Sequence, residues 1–315
     1  MGKMKPLYDG IKLNCTIVSD THIDEKHPMP WLPKMNLRNA LKDTKKSSAP
    51  VDAFLTIGDT TSRGSDANWK MTVECFDKVP DAAKNIILTV GNHDCWNDNG
   101  FDAAMKNYLR NFEIICGRKI DKPYFSYNIN GYLFVFLGND SDSGCEASIG
   151  EEQLKWFEGE MENGGKSGKP IFVFCHQSLN QKHGLPRTWD KDENAKNLWD
   201  GGLGKDSDAV EAILKKHKNV YYFSGHSHMG LGGENIRKAE GYSTFEKEGD
   251  LRLINLPSLS CGNHHGENKS TCLSVQLEVY DDKVVIRPRN TMKRKWITSV
   301  AIKDGKPCFE EKIEK

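Results

Sequence analysis

The sequence carries no excess of either charge: 44 lysines and arginines stand against 44 aspartates and glutamates in 315 residues. A general electrostatic nucleic-acid binder usually needs a net basic surface to displace counterions, so nucleic acid is disfavoured as a partner. Long apolar runs are missing as well. Stretches such as Leu133 to Leu137 and Ile171 to Cys175 fall far short of the ~18 residues that cross a bilayer, and no membrane span is expected. No apolar stretch follows the early lysines before Asn14, so nothing reads as a secretory signal. Repeats, low-complexity tracts and linkers are absent too. One domain over residues 1–315 is therefore expected, although roughly 150 residues per domain would suggest two. With 37% hydrophobic and 9% aromatic residues, the chain is rather hydrophilic but too aromatic to be disordered.

Cysteine is present without the spacing of a disulfide framework or a thiolate metal site. The nine cysteines (15, 75, 95, 116, 145, 175, 261, 272 and 308) are odd in number, scattered, and never form a CxxC pair. Most fall in apolar patterns, as buried reduced thiols do, and a reducing cytoplasm is the expected location. Glycosylation-like triplets at Asn14, Asn139 and Asn268 are read as chance, because the first lies inside a predicted strand and no export signal accompanies them. A phosphate-binding glycine loop is lacking also. The segment Gly164-Gly165-Lys166-Ser167-Gly168-Lys169-Pro170 lacks the first glycine of that motif, and Pro170 opens the next strand, so it reads as a surface turn.

What is there is an alternation of short β-rich runs and helical patterns. Leu13 to Val18 reads as a strand into Ser19-Asp20-Thr21-His22, Ala53 to Ile57 as a strand into Gly58-Asp59, and Ile86 to Val90 as a strand into Gly91-Asn92-His93-Asp94. Between them, Leu37 to Lys45 and Asn68 to Val79 carry helical spacing, which makes the order β-α-β-α-β. Tyr124 to Ile129 and Tyr132 to Leu137 flank Asn130-Gly131, a pair suited to a tight hairpin because both residues tolerate positive φ. A helix at Glu151 to Met161 precedes strand Ile171 to Phe174, which ends in Cys175-His176. Asp208 with Glu211 marks a helix start, and Val220 to Phe223 runs into Gly225-His226-Ser227-His228. Leu251 to Ile254, Thr271 to Tyr280 and Val284 to Pro288 are strand-like. Residues 177–206 and 229–250 read as long loops of the functional kind.

The chemistry gathers at the strand ends. Five of them, in chain order, deliver Asp20 and His22, then Asp59, then Asn92 with His93 and Asp94, then His176, then His226 and His228. Open α/β sheets place their sites at that edge. Carboxylate oxygens with imidazole nitrogens suit Mn, Fe, Zn or Co, whereas a thiolate-rich zinc site or an all-oxygen calcium site lacks its residues. In Asp20-x-His22 and His226-x-His228, alternation along an extended segment is expected to send both side chains the same way.

These blocks, Asp20-Thr21-His22, Gly58-Asp59, Gly91-Asn92-His93-Asp94, His176 and Gly225-His226-Ser227-His228, stand in the order of the five motif blocks of the calcineurin-like metallophosphoesterases, and the sequence resembles that family over about residues 13–228. The resemblance implies an α/β fold: a four-layer sandwich of two mixed β-sheets flanked by helices, with two metal ions at its edge and the C-terminal strands in the second sheet. It implies that Asp20, His22, Asp59 and His228 hold one ion and that Asp59, Asn92, His176 and His226 hold the other, with Asp59 bridging. His93 would stand near the leaving oxygen and Asp94 would orient it.

Departures from the family pattern refine the expectation. Ser62, Arg63 and Gly64 follow the bridging block as they do in protein phosphatases, and Arg63 offers a guanidinium fork suited to substrate phosphate. The tyrosine of purple acid phosphatases is replaced by the Thr60-Thr61-Ser62 run, which argues against an Fe(III)-tyrosinate centre. Cys175-His176-Gln177 lacks the second histidine of many cyclic-nucleotide phosphodiesterases. Trp96, Asn139, Asp140, His183, Arg187, His264 and His265 lie on segments near the site, and none is assigned a catalytic role. The expected activity is hydrolysis of a small-molecule phosphodiester or phosphomonoester by in-line attack of a metal-bridging hydroxide. The alternatives are a phosphoprotein phosphatase, for which Arg63 speaks, and a non-catalytic metal-dependent scaffold, against which the full ligand set speaks. A nuclease would want a basic stripe that is not present.

Overall fold

A strand buried on both faces must be apolar throughout and must find a hydrogen-bonding neighbour on each side. Strand β1 (Leu13–Val18) is buried at every position. In the computed structural model, which describes residues 2–183, 201–237, 243–261, 272–297 and 301–308, β1 runs parallel to β2 (Ala53–Ile57) on one side. The expected β-α-β-α-β order is completed by α1 (Trp31–Lys45), α2 (Asp66–Asp77) and β3 (Ile86–Thr89). Helix α1 begins at Trp31 rather than Leu37, because Pro30 and Pro33 fall where a helix has unsatisfied N–H groups to spare and so do not break it. The short turn α3 (Asn92–Cys95) leads to α4 (Phe101–Cys116), a helix absent from the expectations above. Its pattern is nonetheless written in Phe101, Ala104, Tyr108 and Phe112, and it stops at Gly117, whose φ of 66° fits a left-handed cap.

The hairpin of β4 (Phe125–Ile129) and β5 (Tyr132–Phe136) turns through Asn130 and Gly131 at φ of 53° and 82°. Helix α5 (Glu151–Gly165) covers the segment into the glycine-rich turn, where the Ser167 hydroxyl donates to the Gly164 carbonyl, an ordinary surface turn. Strand β6 (Ile171–Phe174), helix α6 (Ser207–Lys215) and strand β7 (Val220–Ser224) follow. The stretch expected as a loop at 229–250 contains the short α7 (Gly233–Ile236) and the strand β8 (Phe245–Glu248), which pairs antiparallel to β9 (Leu251–Asn255). The polar Glu246-Lys247-Glu248 run hid that strand, since it lies at a sheet edge with one face toward solvent. In 177–206, the described part carries a 3₁₀ turn at Gly204–Asp206, and 184–200 lie outside the described residues.

Strands β10 (Leu273–Val279), β11 (Val284–Asn290), β12 (Lys295–Trp296), β13 (Ala301–Lys303) and β14 (Lys306–Cys308) close the chain. They correct one expectation: β9 joins the second sheet, but β10 to β14 extend the first, because β10 takes the free side of β1. The first sheet has the order β14-β13-β11-β10-β1-β2-β3, with β12 on β11, and the second β4-β5-β6-β7-β9-β8. Both are mixed. The five site-bearing strands therefore belong to two sheets, β1 to β3 in one and β6 with β7 in the other. Period-two alternation builds the layers. Phe134, Phe136, Phe172, Phe174 and Phe223 point to the face shared with the first sheet, whereas Val135, Val173 and Tyr222 meet Phe157 and Met161 of α5 and Val210 and Leu214 of α6. Along the inner face Phe136, Phe174 and Phe223 stack at centroid spacings of 5.0 and 5.1 Å. Each such buried ring contributes on the order of 1.5–3 kcal/mol. Among the described residues no helix is long and apolar enough to cross a membrane.

One buried ion pair fastens the C-terminal strands to the front of the chain. Arg289 of β11 donates from Nε and Nη2 to the two oxygens of Asp43 in α1, at 2.6 and 2.9 Å, and both side chains are buried. Removing one partner strands the other charge in the interior. Urea titration of Arg289→Met is therefore expected to show a loss of about 3–5 kcal/mol, most of it recovered when Asp43 is also replaced by an apolar residue.

Candidate metal centre

The residues at the strand ends do not continue as extended chain. Asp20, His22, Asp59, His226 and His228 all have positive φ, between 47° and 66°, a region that disfavours side-chain-bearing residues by roughly 1–2 kcal/mol each. The expected alternation of Asp20-x-His22 and His226-x-His228 along an extended segment is therefore replaced by tight left-handed turns. Backbone bonds between neighbouring turns hold them: Asp20 N–H to the Gly58 carbonyl (3.2 Å), His22 N–H to the Asp59 carbonyl (2.9 Å) and Ile23 N–H to the Thr60 carbonyl (3.0 Å). Gly91 is required for the packing of these turns, since a Cβ there would run into the Asp59 backbone and carboxylate.

The turns bring the donor atoms together. Asp20, His22 and His228 form one group, Asp59, His176 and His226 a second, and His22, Asp59 and His93 a third that overlaps both. His228 Nε2 lies 3.2 Å from Asp20 Oδ1, and His22 Nε2 lies 3.3 Å from His228 Nε2. Asp59 Oδ2 lies 3.1 Å from His176 Nε2, 3.7 Å from His22 Nε2 and 4.0 Å from His93 Nε2. Donors that each stand about 2.1 Å from one ion are roughly 3–4 Å apart. The x-spaced histidines thus divide, His228 toward the first group and His226 toward the second.

Hydrogen bonds fix which ring nitrogen faces inward. His176 Nδ1 lies 2.8 Å from the Ile57 carbonyl and His93 Nδ1 lies 3.0 Å from the Ser62 carbonyl. A carbonyl only accepts, so Nδ1 carries the proton and Nε2 turns toward the carboxylates, the arrangement by which a carbonyl partner fixes the tautomer and orientation of a metal-binding imidazole. Asn92 Nδ2 points to Cys145 Sγ at 3.8 Å, while its Oδ1 is buried without a hydrogen-bond partner among the described residues. An oxygen so placed fits a cation. Burial opposes charge on Asp20, but His228 and His176 hold its carboxyl down to about 2. Asp59 likewise stays well below the usual carboxylate range despite burial, through His176 and His93. Burial lowers His22 and His226 to about 3, so both are neutral and able to ligate. Against burial, Asp59 and Asp20 lift His176 to about 9. The set of oxygen and imidazole donors around two ionised carboxylates fits divalent or trivalent ions.

The resemblance implied that Asp94 orients His93; the hydrogen bonds of the Asp94 carboxylate run to the turn after Asp59 and to the start of α3. That carboxylate accepts from Thr61 N–H (2.8 Å), Thr61 Oγ1 (2.7 Å), Gly91 N–H (3.0 Å) and Thr60 N–H (3.2 Å). From the third position of α3 it folds back on the helix start and reaches the end of the adjacent parallel strand β2. It clamps the turn after Asp59, and the Ser62 carbonyl orients His93. Burial and the charge of Asp59 push the Asp94 carboxyl up to about 6. Arg63 lies on the surface beside Asp98 at 3.4 Å, outside the donor groups, in a 430 Å³ cleft it shares with Lys106 and Arg110. The Trp96 ring packs against His93 at 4.1 Å. Asp140 serves the start of α5, accepting from Gly150 N–H and Gln153 Nε2, and Asn139 reaches Cys95. His183 is buried among Leu179 and Ser224. Arg187, His264 and His265 lie outside the described residues. The Ser62 carbonyl and Ser258, whose hydroxyl donates to the Asp20 carbonyl at 3.0 Å, were beyond sequence reading, since a backbone acceptor has no residue signature.

Adjoining oxygen and nitrogen donor groups at the strand ends of two packed mixed sheets are the arrangement of a metallophosphoesterase. The chain belongs to the calcineurin-like phosphoesterase family, whose model matches residues 13–230. That family comprises metal-dependent phosphoric ester hydrolases. Among solved structures, the chain is similar to a dimetal phosphatase from Danio rerio, at 14% identity and a TM-score of 0.60, covering 89% of this chain and 97% of that one. It is similar also to a purple acid phosphatase from yellow lupin (Lupinus luteus), at 10% identity and a TM-score of 0.60, covering 92% of this chain and about half (53%) of that one. No curated protein matches.

The clamp role of Asp94 separates from an orienting role by experiment. Asp94→Ala leaves three buried N–H groups unsatisfied, at about 1–3 kcal/mol each. The variant is expected to lose about 3 kcal/mol or more of stability in urea, together with metal content measured by mass spectrometry. Full metal content at native stability would return Asp94 to the role of aiming His93.

Proposed function

We propose that the protein is a dimetal-dependent phosphoesterase that hydrolyses a phosphodiester or phosphomonoester of a small molecule. The observation that carries this reading is the position of Asp59 Oδ2, within 4.0 Å of His22, His93 and His176, where one carboxylate oxygen serves both donor groups. Asp20, His22, Asp59 and His228 would hold one ion, and Asp59, Asn92, His176 and His226 the other. Manganese, iron, zinc and cobalt all suit these donors. When bound, the ions supply positive charge for the phosphoryl oxygens and a hydroxide nucleophile at neutral pH.

The chain's own residues supply the proton. With Nδ1–H committed to the Ser62 carbonyl, the transferable proton of His93 sits on Nε2, facing the donor groups. As the phosphorus–oxygen bond to the leaving group breaks, that proton passes to the departing oxygen, and water contributes the hydroxyl that phosphorus gains and the proton that restores the ring. The Trp96 ring packs against the His93 ring, with centroids 4.1 Å apart, and limits its movement. The surface pairing of Arg63 with Asp98 gives no support to a phosphoprotein substrate. The free thiols of Cys15, Cys75, Cys95, Cys116, Cys145, Cys175 and Cys261 support a reducing, cytoplasmic setting.

Two variants test the reading. Asp59→Asn removes charge from both donor groups and is expected to lower metal content and rate together; two fully occupied sites with near-native activity would overturn the shared role. For His93→Asn, metal content is expected to hold while hydrolysis of an alkyl ester falls by about 10²–10⁴. An activated nitrophenyl ester, whose leaving group needs little protonation, is expected to lose markedly less. Equal losses along a leaving-group series would exclude His93 as the general acid.

A further inference from the structure

Three of the imidazoles in the centre sit on two loops, Cys175 to Ser178 and Gly225 to His228, that follow neighbouring parallel strands β6 and β7. The second loop is held in an unfavourable shape. His226 and His228 both lie in the left-handed region, at φ of 66° and 57°, and Gly225 presses so closely on β1 that a Cβ would overlap the Ser19 hydroxyl and the Asp20 carboxylate. A loop of that kind keeps its rings in place only if its polar groups are tied down.

One side chain ties them. Asn255, fully buried at the end of β9, donates from Nδ2 to the Gly225 carbonyl at 3.1 Å, and the same nitrogen lies 3.3 Å from Ser224 Oγ and 3.4 Å from Ser178 Oγ. Its Oδ1 accepts from the Ser227 hydroxyl at 2.6 Å. The Gly225 carbonyl can only accept, so the amide is oriented without ambiguity. Both polar atoms are spent on residues that flank His226 and on Ser178, two residues beyond His176. The main chain secures the same place, with Leu256 N–H on the Ser224 carbonyl at 2.6 Å and Asn255 N–H on the Thr244 carbonyl at 2.9 Å. The Ser178 and Ser224 hydroxyls meet at 2.9 Å, and Ser224 also faces His183 Nδ1 at 3.2 Å.

We propose that Asn255 is the positioning residue of the metal centre, setting the His226 and His228 loop and locking it to the loop that carries His176. It is not itself a ligand, because its oxygen is already engaged by Ser227. Since His228 belongs to the first donor group and His226 with His176 to the second, Asn255 acts on both. The inference rests on reading these histidines as metal ligands.

The test uses the full chain, stripped with chelator and titrated with manganese and with zinc against a chromophoric competitor. Asn255→Asp keeps the volume but turns an acceptor toward the Gly225 carbonyl, and Ser227→Ala deletes only the hydroxyl on the other side. Outer-shell substitutions of this kind weaken metal affinity by about 10–100-fold, and that loss is expected for Asn255→Asp, with a smaller loss in the same direction for Ser227→Ala. Thermal unfolding of the stripped proteins separates positioning from general damage: the expected Ser227→Ala protein unfolds like the parent yet binds metal less tightly. Parent-like affinity in both variants, or affinity lost only where the stripped protein is itself unfolded, overturns the proposal. A parent protein that takes up neither metal overturns the ligand reading instead.

Discussion

Two carboxylates buried side by side, Asp20 and Asp59, impose the terms on which the rest of this molecule is built. Neither is exposed, and each raises the energy of the other's charge. Buried like charges persist only where opposite charge or donors surround them. Here the answer is a shell of imidazoles, with His228 and His176 nearest to Asp20 and His176 and His93 acting on Asp59. A pair of cations satisfies the same constraint more completely, which is why the electrostatics and the donor geometry lead to one conclusion.

The sandwich exists to deliver that shell. Asp20 and Asp59 come from β1 and β2 of one sheet, whereas His176 and His226 come from β6 and β7 of the other, so the centre straddles the seam between sheets. Closing the seam takes a stiff interior, supplied by the stacked Phe136, Phe174 and Phe223 rings. It also takes a chain that turns sharply at each strand end: left-handed Asp20 and His22 are held by bonds to the neighbouring Gly58-Asp59 turn, and the Ser227 N–H closes on the Gly225 carbonyl around left-handed His226. Asp94, clamping the Asp59 turn from α3, and Asn255, tying β9 to the histidine loops, are the same device applied once in each sheet.

Much of this was legible in the residues. The alternating runs marked β1, β2, β3, β6 and β7 within a residue or so, Asn130-Gly131 marked its hairpin through the demand for positive φ, and the strand-end residues that the structure assembles were the ones singled out by type and place. The helix at 101–116 was legible too, through Phe101, Ala104, Tyr108 and Phe112, but its polar interior obscured it. Strand β8 was not, because an edge strand need not be apolar. The membership of β10 in the first sheet was equally hidden, since antiparallel pairing between segments about 260 residues apart leaves no local trace.

Residue type and order by themselves pointed to the chemistry: carboxylates, an amide and imidazoles at five strand ends, with no thiolate cluster and no phosphate loop, leave a centre suited to Mn, Fe, Zn or Co as the consistent reading. Only the tertiary structure decided how those groups are shared. Separation of His226 from His228 into different donor groups, the commitment of Asp94 to Thr60 and Thr61, the turning of Arg63 toward Asp98 and the bracing of the histidine loops by Asn255 all depend on which atoms meet across two sheets. Side-chain type limits what a residue can bond, but direction comes from backbone turns and long-range pairing, and those are properties of the folded chain.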